Sequence, residues 1–447
     1  MDIIDQFNLP QKPIAVLVSI CSQSFEGHTT MAESEASLQE LQELLRTLNV
    51  ECLKSFIQNK REIDPAFILG KGKIEEIAEF AKNSGANLLV FDFELSASQG
   101  RNIQKITKLK VIDRVNVILE IFASHARTKE AQIQIEISKL EYMLPRLTSL
   151  WSHFSRQRGG VGVRGGEGEQ QLELDRRIIK DKISFFKKQL KDIAVSRQEQ
   201  SKQRKNKAIV SALVGYTNAG KSSLMNRLCR VNVLAEDKLF ATLDSTFRML
   251  NPDTKPPMIL IDTVGFISNL PNTLINGFRS TLDSASEADL LIIVVDLSNP
   301  QYEKHLQVTH DVLKELKIEK KDSIIVFNKV DLVQDEALKK VVQKKYPNSF
   351  LVSTMDEKSM QMLRSFIIEH FLKQQKHYDL FVPYDQGEVH STISAKTNVI
   401  STHNYDKGIF YRIRIPEFIF NSNALNKFIL APEDPLLKRF RSEIDRN

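Results

Sequence analysis

Residues 215–222 combine glycines, a lysine and a serine at a spacing that suits phosphate binding. The segment reads GYTNAGKS and lies between the apolar run KAIVSALV and the helix-like stretch KSSLMNRLC. In this P-loop pattern, glycines let backbone N–H groups approach phosphate oxygens, Lys221 meets the β- and γ-phosphates, and Ser222 offers a hydroxyl to Mg²⁺. The predicted phosphate-binding residues are Gly215, Tyr216, Thr217, Asn218, Ala219, Gly220, Lys221, Ser222 and Ser223.

Two further segments could respond to the γ-phosphate. DTVG (residues 262–265) follows the apolar run PMILI, so Asp262 can hold Mg²⁺ through water and the N–H of Gly265 can reach the γ-phosphate. FATLD (residues 240–244) lies between the two motifs, where a switch loop must bring a hydroxyl to the metal, and Thr242 is the expected residue. The predicted contacts here are Phe240, Ala241, Thr242, Leu243, Asp244, Asp262, Thr263, Val264 and Gly265. The predicted Mg²⁺ ligands are Ser222, Thr242 and Asp262, and the predicted catalytic residues are Lys221, Thr242 and Gly265.

The motif NKVD, residues 328–331, indicates which base is bound. It follows the apolar run SIIVF. The carboxylate of Asp331 can accept hydrogen bonds from the ring N–H and exocyclic amine of guanine, whereas adenine has no matching pair of donors. The later strand-like run SFLVST brings Thr354, whose N–H can meet the guanine carbonyl. The predicted base-binding residues are Asn328, Lys329, Val330, Asp331, Ser353 and Thr354.

The elements that must position these motifs form a multidomain α/β pattern. A small α/β domain is expected over residues 1–126, followed by a helical hairpin over 127–205 whose tip is rich in glycine and arginine. A mostly parallel sheet with helices on both faces is expected over residues 206–374, because its apolar runs alternate with helical segments. A small α+β domain is expected over residues 375–447.

Positive charge is concentrated in one part of the chain. The formal net charge is +6, but residues 151–210 alone contain 15 Lys and Arg against seven Asp and Glu. A local positive patch favours a nucleic-acid partner, although a solvated helix face has the same composition. Three arginines of the segment SRQRGGVGVRGGEGEQ are the candidate RNA contacts, Arg156, Arg158 and Arg164.

Composition excludes several other classes of protein. The N-terminus MDIID is acidic, and the longest aliphatic run, residues 290–295, is too short to span a bilayer, so we expect a cytoplasmic protein. Cys21, Cys52 and Cys229 have neither metal-ligand nor disulfide spacing and are expected to be reduced thiols. We expect a monomer with no DNA partner. The sequence leaves transient membrane association open.

With these motifs in place, the chain resembles the HflX family of ribosome-associated GTPases. The resemblance rests on GYTNAGKSSLMN, FATLD, DTVGFISNLP and NKVD, and on the upstream blocks FILGKGKIEEI and SRQRGGVGVRGGEGEQQLELDRR, over roughly residues 60–375. It implies a GTPase that binds GTP or GDP with Mg²⁺, associates with the large ribosomal subunit, and splits or rescues stalled or idle ribosomes under stress. It also implies that the glycine-rich tip, residues 159–168, contacts ribosomal RNA.

Phe266 predicts a slow intrinsic rate of hydrolysis. It follows Gly265, where Ras-type switches have a glutamine that orients the attacking water, and a phenyl ring has no group for that task. Two sources remain open: the ribosome could order the switch loops, or Asn218 could help hold K⁺ beside the phosphates. Asn218 could instead stabilise its own loop.

One alternative function rests on GKGK, residues 70–73. These residues could hold phosphates at the start of the helix KIEEIAEF, which would make the chain an RNA-remodelling or signalling NTPase with a second, N-terminal ATP site. The opposing interpretation is a turn that only begins the helix.

Overall fold

The computed structural model describes most of the chain, which forms two compact units. The described residues are 12–23, 29–147, 165–205, 208–230, 239–240, 242, 245–251, 254–268 and 284–430. The first unit comprises Met1–Ile193, Glu236–Asp244 and Ile267–Ser280, and the second comprises Ala194–Ala235, Ser245–Phe266 and Thr281–Asn447.

The first unit contains a four-stranded sheet in which every pairing is parallel. In chain order its strands are β1 (Ile14–Cys21), β2 (Glu51–Asn59), β3 (Leu88–Phe91) and β4 (Lys110–Asp113). The order across the sheet is β2-β1-β3-β4. Its apolar residues pack in a core that includes Val16, Ile77 and Leu89. The predicted α/β character is confirmed. The apolar runs PIAVLVSI and ANLLVFDF predicted β1 and β3, whereas β2 and β4 were not predicted.

Three helices connect these strands and a fourth follows the last strand. They are α1 (Met31–Thr47), α2 (Lys71–Ser84), α3 (Ala97–Thr107) and α4 (Arg114–His125). Helix α1 begins at a capping box in which Thr30 and Glu33 satisfy each other's backbone N–H groups, and Asp113 caps α4 by accepting from the N–H of Asn116. Helix α3 was not predicted, because only Ile103 and Thr107 of its residues are buried.

Two further helices lie in the part of the chain where a helical hairpin was predicted. Helix α5 (Lys129–Met143) passes into a 3₁₀ turn at Leu144–Arg146, and α6 spans Gly165–Lys205. Apolar residues of α5, such as Ile133 and Ile137, pack against Ile183 of α6. The glycine-rich run WSHFSRQRGGVGVRGGEGEQ, residues 151–170, predicted an irregular tip between the two helices. That prediction is wrong for residues 165–170, which are helical. Arg156, Arg158 and Arg164 lie outside the described residues.

The second unit is built on a six-stranded sheet that is parallel except at one edge. In chain order its strands are β5 (Ile209–Gly215), β6 (Thr246–Asn251), β7 (Met258–Asp262), β8 (Leu290–Asp296), β9 (Ser323–Asn328) and β10 (Phe350–Leu351). The order across the sheet is β10-β9-β8-β5-β7-β6, with β6 antiparallel to β7. The predicted mostly parallel sheet is confirmed. Strand β6 was not predicted, and β10 is only two residues long.

Helices and a smaller antiparallel sheet complete the second unit. The helices are α7 (Lys221–Leu228), α8 (Tyr302–Glu315), α9 (Glu336–Lys345), α10 (Glu357–Gln374), α11 (Gly387–Lys396) and α12 (Glu417–Ser422), with 3₁₀ turns at Val330–Leu332 and Leu425–Phe428. The small sheet contains β11 (Lys376–Pro383), β12 (Asn398–Tyr405) and β13 (Gly408–Ile415) in the order β11-β13-β12. Apolar residues of both sheets, such as Val326 and Ile413, share one continuous core. Among the described helices, none is long and apolar enough to cross a membrane.

Candidate nucleotide site

The P-loop connects the end of β5 to the start of α7 and requires glycine at two positions. Gly215 has φ +148°, and a Cβ there would lie 2.2 Å from the carbonyl oxygen of Val294. Gly220 has φ +87°, and a Cβ there would lie 2.3 Å from Nδ2 of Asn328. Any side chain at either position would clash and would strain the backbone. The loop therefore depends on glycine for its shape.

Lys221 is folded back over the loop. Only 6% of the residue is exposed, and its Nζ donates to the carbonyl oxygens of Gly215 at 3.2 Å and Tyr216 at 2.8 Å. Burial lowers the pKa of Lys221 to about 8, although the nearby charge of Asp262 acts in the opposite direction. The ammonium group can exchange these carbonyl partners for phosphate oxygens.

Ser222 and Asp262 provide two oxygen atoms that fit a Mg²⁺ site. The hydroxyl of Ser222, on α7, donates to Oδ2 of Asp262 at 2.6 Å. Asp262 ends β7 and is buried. Mg²⁺ binds hard oxygen ligands, usually one or two protein groups together with water and phosphate. This pair could therefore hold the ion. Within the described residues, no three His, Cys, Asp or Glu side chains form a separate metal cluster.

The DTVG segment lies directly against the P-loop. The N–H of Phe266 donates to the carbonyl of Gly215 at 3.0 Å, and the N–H of Thr217 donates to the carbonyl of Phe266 at 2.7 Å. Gly265 has no room for a side chain, because a Cβ would lie 2.7 Å from Cα of Thr217 and 2.9 Å from Nζ of Lys221. The buried Thr263 hydroxyl donates to the carbonyl of Leu213 at 2.6 Å. Val264 is also buried.

The base-reading segments lie side by side at the same edge of the sheet. Nδ2 of Asn328 donates to the carbonyl of Ala219 at 2.9 Å, which ties NKVD to the P-loop. Lys329 has φ +60°, and its Nζ lies 2.8 Å from Oδ2 of Asp296. The N–H of Val330 donates to the carbonyl of Val352 at 3.3 Å, which places the segment that follows β10 beside NKVD.

The remaining base-reading residues differ in exposure. Asp331 is exposed, so its carboxylate can be reached by a ligand. Ser353 is buried and fixes its own loop, since its hydroxyl accepts from the N–H of Met355 at 3.1 Å. Thr354 is half-buried.

Some polar groups of the site have no hydrogen-bond partner within the described residues. They are the buried Thr217 hydroxyl and the buried Oδ1 of Asn328. Buried polar atoms are usually paired, so atoms of this kind indicate a place where a ligand or water contributes. Asn218 has φ +56° and is exposed, while Ser223 is half-buried.

The predicted residues of the P-loop, DTVG and NKVD lie together in the second unit. Phe240 and Thr242 belong to the first unit, where Phe240 packs edge-on against Phe122 with 4.6 Å between ring centroids. Ala241, Leu243 and Asp244 lie outside the described residues. The role of FATLD therefore stays a prediction. The sequence analysis did not predict two contacts of the site. They are the ion pair between Asp296 and Lys329 and the ring stack between His305 and Tyr216.

The P-loop, Asp262 and NKVD all follow the carboxyl ends of parallel strands in one sheet, an arrangement that defines a GTP-binding domain of the P-loop class. Family models agree along most of the chain. A model described as "GTP-binding GTPase N-terminal" matches residues 35–123, one described as "GTP-binding GTPase Middle Region" matches 125–204, and one described as "50S ribosome-binding GTPase" matches 210–329. A relative named GTPase HflX is 40% identical over 88% of the chain, so the chain belongs to the HflX family of GTPases and is a GTP-binding, GTP-hydrolysing protein.

Individual relatives match 68% to 88% of the chain. GTPase HflX of Lacrimispora saccharolytica is 40% identical over 396 residues, which cover 88% of this chain and 93% of the relative. GTPase HflX of Flavobacterium psychrophilum is 44% identical over 311 residues, 68% of this chain and 74% of the relative. A solved structure of a GTP-binding protein from Sulfolobus solfataricus with GDP is 24% identical, covering 80% of this chain and 98% of that chain, with a TM-score of 0.42.

Proposed function

We propose that this GTPase uses Mg²⁺ and GTP to control its binding to the large ribosomal subunit. In this proposal the GTP form docks on ribosomal RNA, hydrolysis releases it, and the cycle splits or rescues stalled or idle ribosomes in the cytoplasm under stress. The observation that carries the proposal is the match of residues 210–329 to a model described as a 50S ribosome-binding GTPase.

The nucleotide would occupy the edge of the second unit's sheet. Lys221 would meet the β- and γ-phosphates, Ser222 and Asp262 would hold Mg²⁺, and Asp331 would select guanine. Support comes from the 2.6 Å contact between Ser222 and Asp262 and from the buried, inward-folded Lys221. Mg²⁺ would neutralise charge that develops on the phosphates during transfer to water. The part of Thr242 in this site rests on the sequence alone.

The ribosome contact would involve the basic segment. Ribosomal RNA is a polyanion, and residues 151–210 have eight more basic than acidic side chains. Arg156, Arg158 and Arg164 remain the proposed RNA contacts. This surface would supply affinity that depends on salt, while the nucleotide state would decide when docking occurs.

Hydrolysis would be slow until an outside group orders the site. The ring of Phe266 is 2% exposed, so it packs in the interior and has no polar atom for an attacking water. Asn218 is exposed at the P-loop, which leaves its side-chain oxygen accessible to a K⁺ ion. The two proposed activators, the large subunit and K⁺, are separable in solution.

The test is GTP turnover by the full-length protein in K⁺ and in Na⁺, each with and without large ribosomal subunits. We expect slow turnover in Na⁺ without subunits and strong stimulation by subunits. Asn218→Ala should remove any gain from K⁺ and keep the gain from subunits. Fast turnover in Na⁺ without subunits would contradict the proposal, because it requires a water-positioning group within the chain.

The N-terminal ATP site receives less support from its surroundings. Gly70 precedes α2 as its cap, and Nζ of Lys73 pairs with Glu76 at 2.7 Å and lies 5.2 Å from the ring centroid of Phe56. These contacts favour a turn that begins the helix. Binding of an ATP analogue by a Lys221→Ala variant would revive the alternative.

A further inference from the structure

The segment from the last residue of β8 to the first turn of α8, residues 296–305, contacts both parts of the proposed nucleotide site, although it contains none of the nucleotide motifs. Asp296 ends β8 and lies 2.8 Å from Nζ of Lys329, in the base-reading segment. His305, in the first turns of α8, stacks on Tyr216 of the P-loop. The end of β8 therefore contacts the predicted base-binding segment, and the start of α8 contacts the predicted phosphate-binding loop.

The contact between His305 and Tyr216 is a parallel ring stack. The ring centroids are 3.8 Å apart and the planes differ by 4°. Tyr216 is buried, and its carbonyl oxygen accepts from both Lys221 Nζ at 2.8 Å and the N–H of Ala219 at 3.3 Å. The backbone of this residue therefore shapes the turn that holds the catalytic lysine, while its ring is held by His305.

The contact between Asp296 and Lys329 is largely shielded from water. The side chains are 16% and 24% exposed. The other oxygen of Asp296, Oδ1, accepts from the N–H and the hydroxyl of Ser298 at 2.9 and 2.5 Å, which fixes the carboxylate. Lys329 has a left-handed backbone conformation and leads into the 3₁₀ turn that contains Asp331. Removing one partner of a shielded ion pair leaves the other charge uncompensated and free to shift.

We infer that Asp296 and His305 are positioning residues of the nucleotide site, each for a different part of the nucleotide. His305 fixes the conformation of the P-loop through its stack on Tyr216 and so affects affinity for the phosphates. Asp296 fixes the position of Lys329, which in turn fixes the position of Asp331. It therefore affects discrimination of the base. The inference rests on the proposed roles of the P-loop and NKVD.

His305 is tested by nucleotide affinity in the full-length protein. GDP and inosine diphosphate, which lacks the exocyclic amine of guanine, are titrated against His305→Ala, His305→Phe and the control His310→Ala, an exposed position on the same helix. His305→Ala should weaken both ligands equally, by roughly two- to tenfold, the range that a stacked aromatic pair supports. His305→Phe should restore affinity, and His310→Ala should match wild type.

Two results would overturn the role of His305. One is wild-type affinity in His305→Ala, and the other is an equal loss in His305→Phe, since the phenyl ring keeps the stack. Thermal unfolding without nucleotide identifies a variant that is merely misfolded. Lys221→Ala, measured in parallel, distinguishes a failure of the P-loop assignment from a failure of the role given to His305. If it binds GDP normally, the P-loop assignment fails, whereas if it loses binding while His305→Ala does not, only the stack is wrong.

The proposed role of Asp296 in base discrimination is tested by the ratio of the affinities for GDP and inosine diphosphate. Asp296→Asn should lower this preference at least threefold, because Asp331 is no longer held where it meets the exocyclic amine. The control Asp311→Asn, at an exposed carboxylate on α8, should keep the wild-type ratio. An unchanged ratio in Asp296→Asn, or an equal loss for both ligands, would contradict the assignment.

Discussion

The side-chain amide of Asn328 donates to the carbonyl oxygen of Ala219 at 2.9 Å, so the proposed base-reading motif is hydrogen-bonded to the proposed phosphate-binding loop. The contact is close enough to exclude any side chain at Gly220, whose Cβ would lie 2.3 Å from the same nitrogen. The two proposed subsites are therefore linked directly by this hydrogen bond. Their individual roles can still be tested by substitutions that change one chemical group at a time.

Asp331→Asn should move base preference from guanine toward xanthine. The amide offers a donor where the carboxylate accepted, and xanthine presents a carbonyl at the position of the guanine amine. Competition between GDP and xanthosine diphosphate measures the change. Unchanged selectivity for guanine would remove Asp331 from its proposed role.

The lowered pKa of Lys221 predicts a loss of nucleotide affinity at alkaline pH. Its pKa is lowered to about 8, and phosphates bind the protonated form, so above pH 8 binding must take up a proton. GDP affinity should be constant below about pH 7 and fall by up to roughly tenfold per pH unit above 8. Lys221→Arg, which stays charged, should show a much flatter profile. A fall of the same size in both proteins would assign the effect to another group.

The same pKa has an opposite consequence for the protein without nucleotide. The folded-state value lies below the ordinary value of 10.5, so the unfolded chain binds more protons between about pH 8 and 10.5. The contribution of Lys221 to the free energy of unfolding should therefore rise with pH across that window. Comparing wild type with Lys221→Met in chemical unfolding at pH 8 and pH 10 isolates this contribution.

Gly265→Ala should weaken GDP binding at least fivefold. The new Cβ would lie 2.7 Å from the backbone of Thr217 and 2.9 Å from Nζ of Lys221, so the P-loop and its lysine must move. Overpacking of this kind costs about 1–3 kcal/mol. Gly72→Ala is the matched control, because nothing lies within 4 Å of its Cβ in α2. Calorimetric titration with GDP should show no loss in the control, and equal affinity in both variants would contradict the tight packing.

Charge reversal at Arg156, Arg158 and Arg164 should weaken association with large subunits and flatten its salt dependence. Each lost phosphate contact lowers the slope of log affinity against log salt by roughly 0.7 to 0.9. Reversal of Lys304, Lys340 and Lys344, exposed positions of the second unit, changes net charge equally and serves as the control. Equal salt slopes in the two triple variants would show that overall charge, not the tip, attracts the subunit.

Sequence patterns predicted the strands whose residues are almost all apolar and buried. Strands β5 and β8 are buried almost throughout, so their apolar runs predicted a parallel sheet. Strand β2 is mostly exposed and polar, and it was missed for that reason. The helical residues 165–170 were assigned to a loop because glycine is a poor helix former, but propensity is a weak guide within a 41-residue helix.

The motif residues of the site could be predicted because each supplies a required chemical group at a fixed spacing. Asp296 and His305 could not, since their importance depends on which strands are neighbours. Strand β8 lies between β5 and β9, so its carboxyl end adjoins both loops. The only signal in the sequence was a carboxylate at the end of an apolar strand, which is common in strands without such a role.

The central claim is that the nucleotide controls docking on the large ribosomal subunit. The most direct measurement is sedimentation of the full-length protein with purified large subunits at physiological salt, in GDP and in a non-hydrolysable GTP analogue. We predict that the protein pellets with subunits in the analogue and stays largely in the supernatant in GDP. Equal sedimentation in the two nucleotide states, or none in either, would contradict the account.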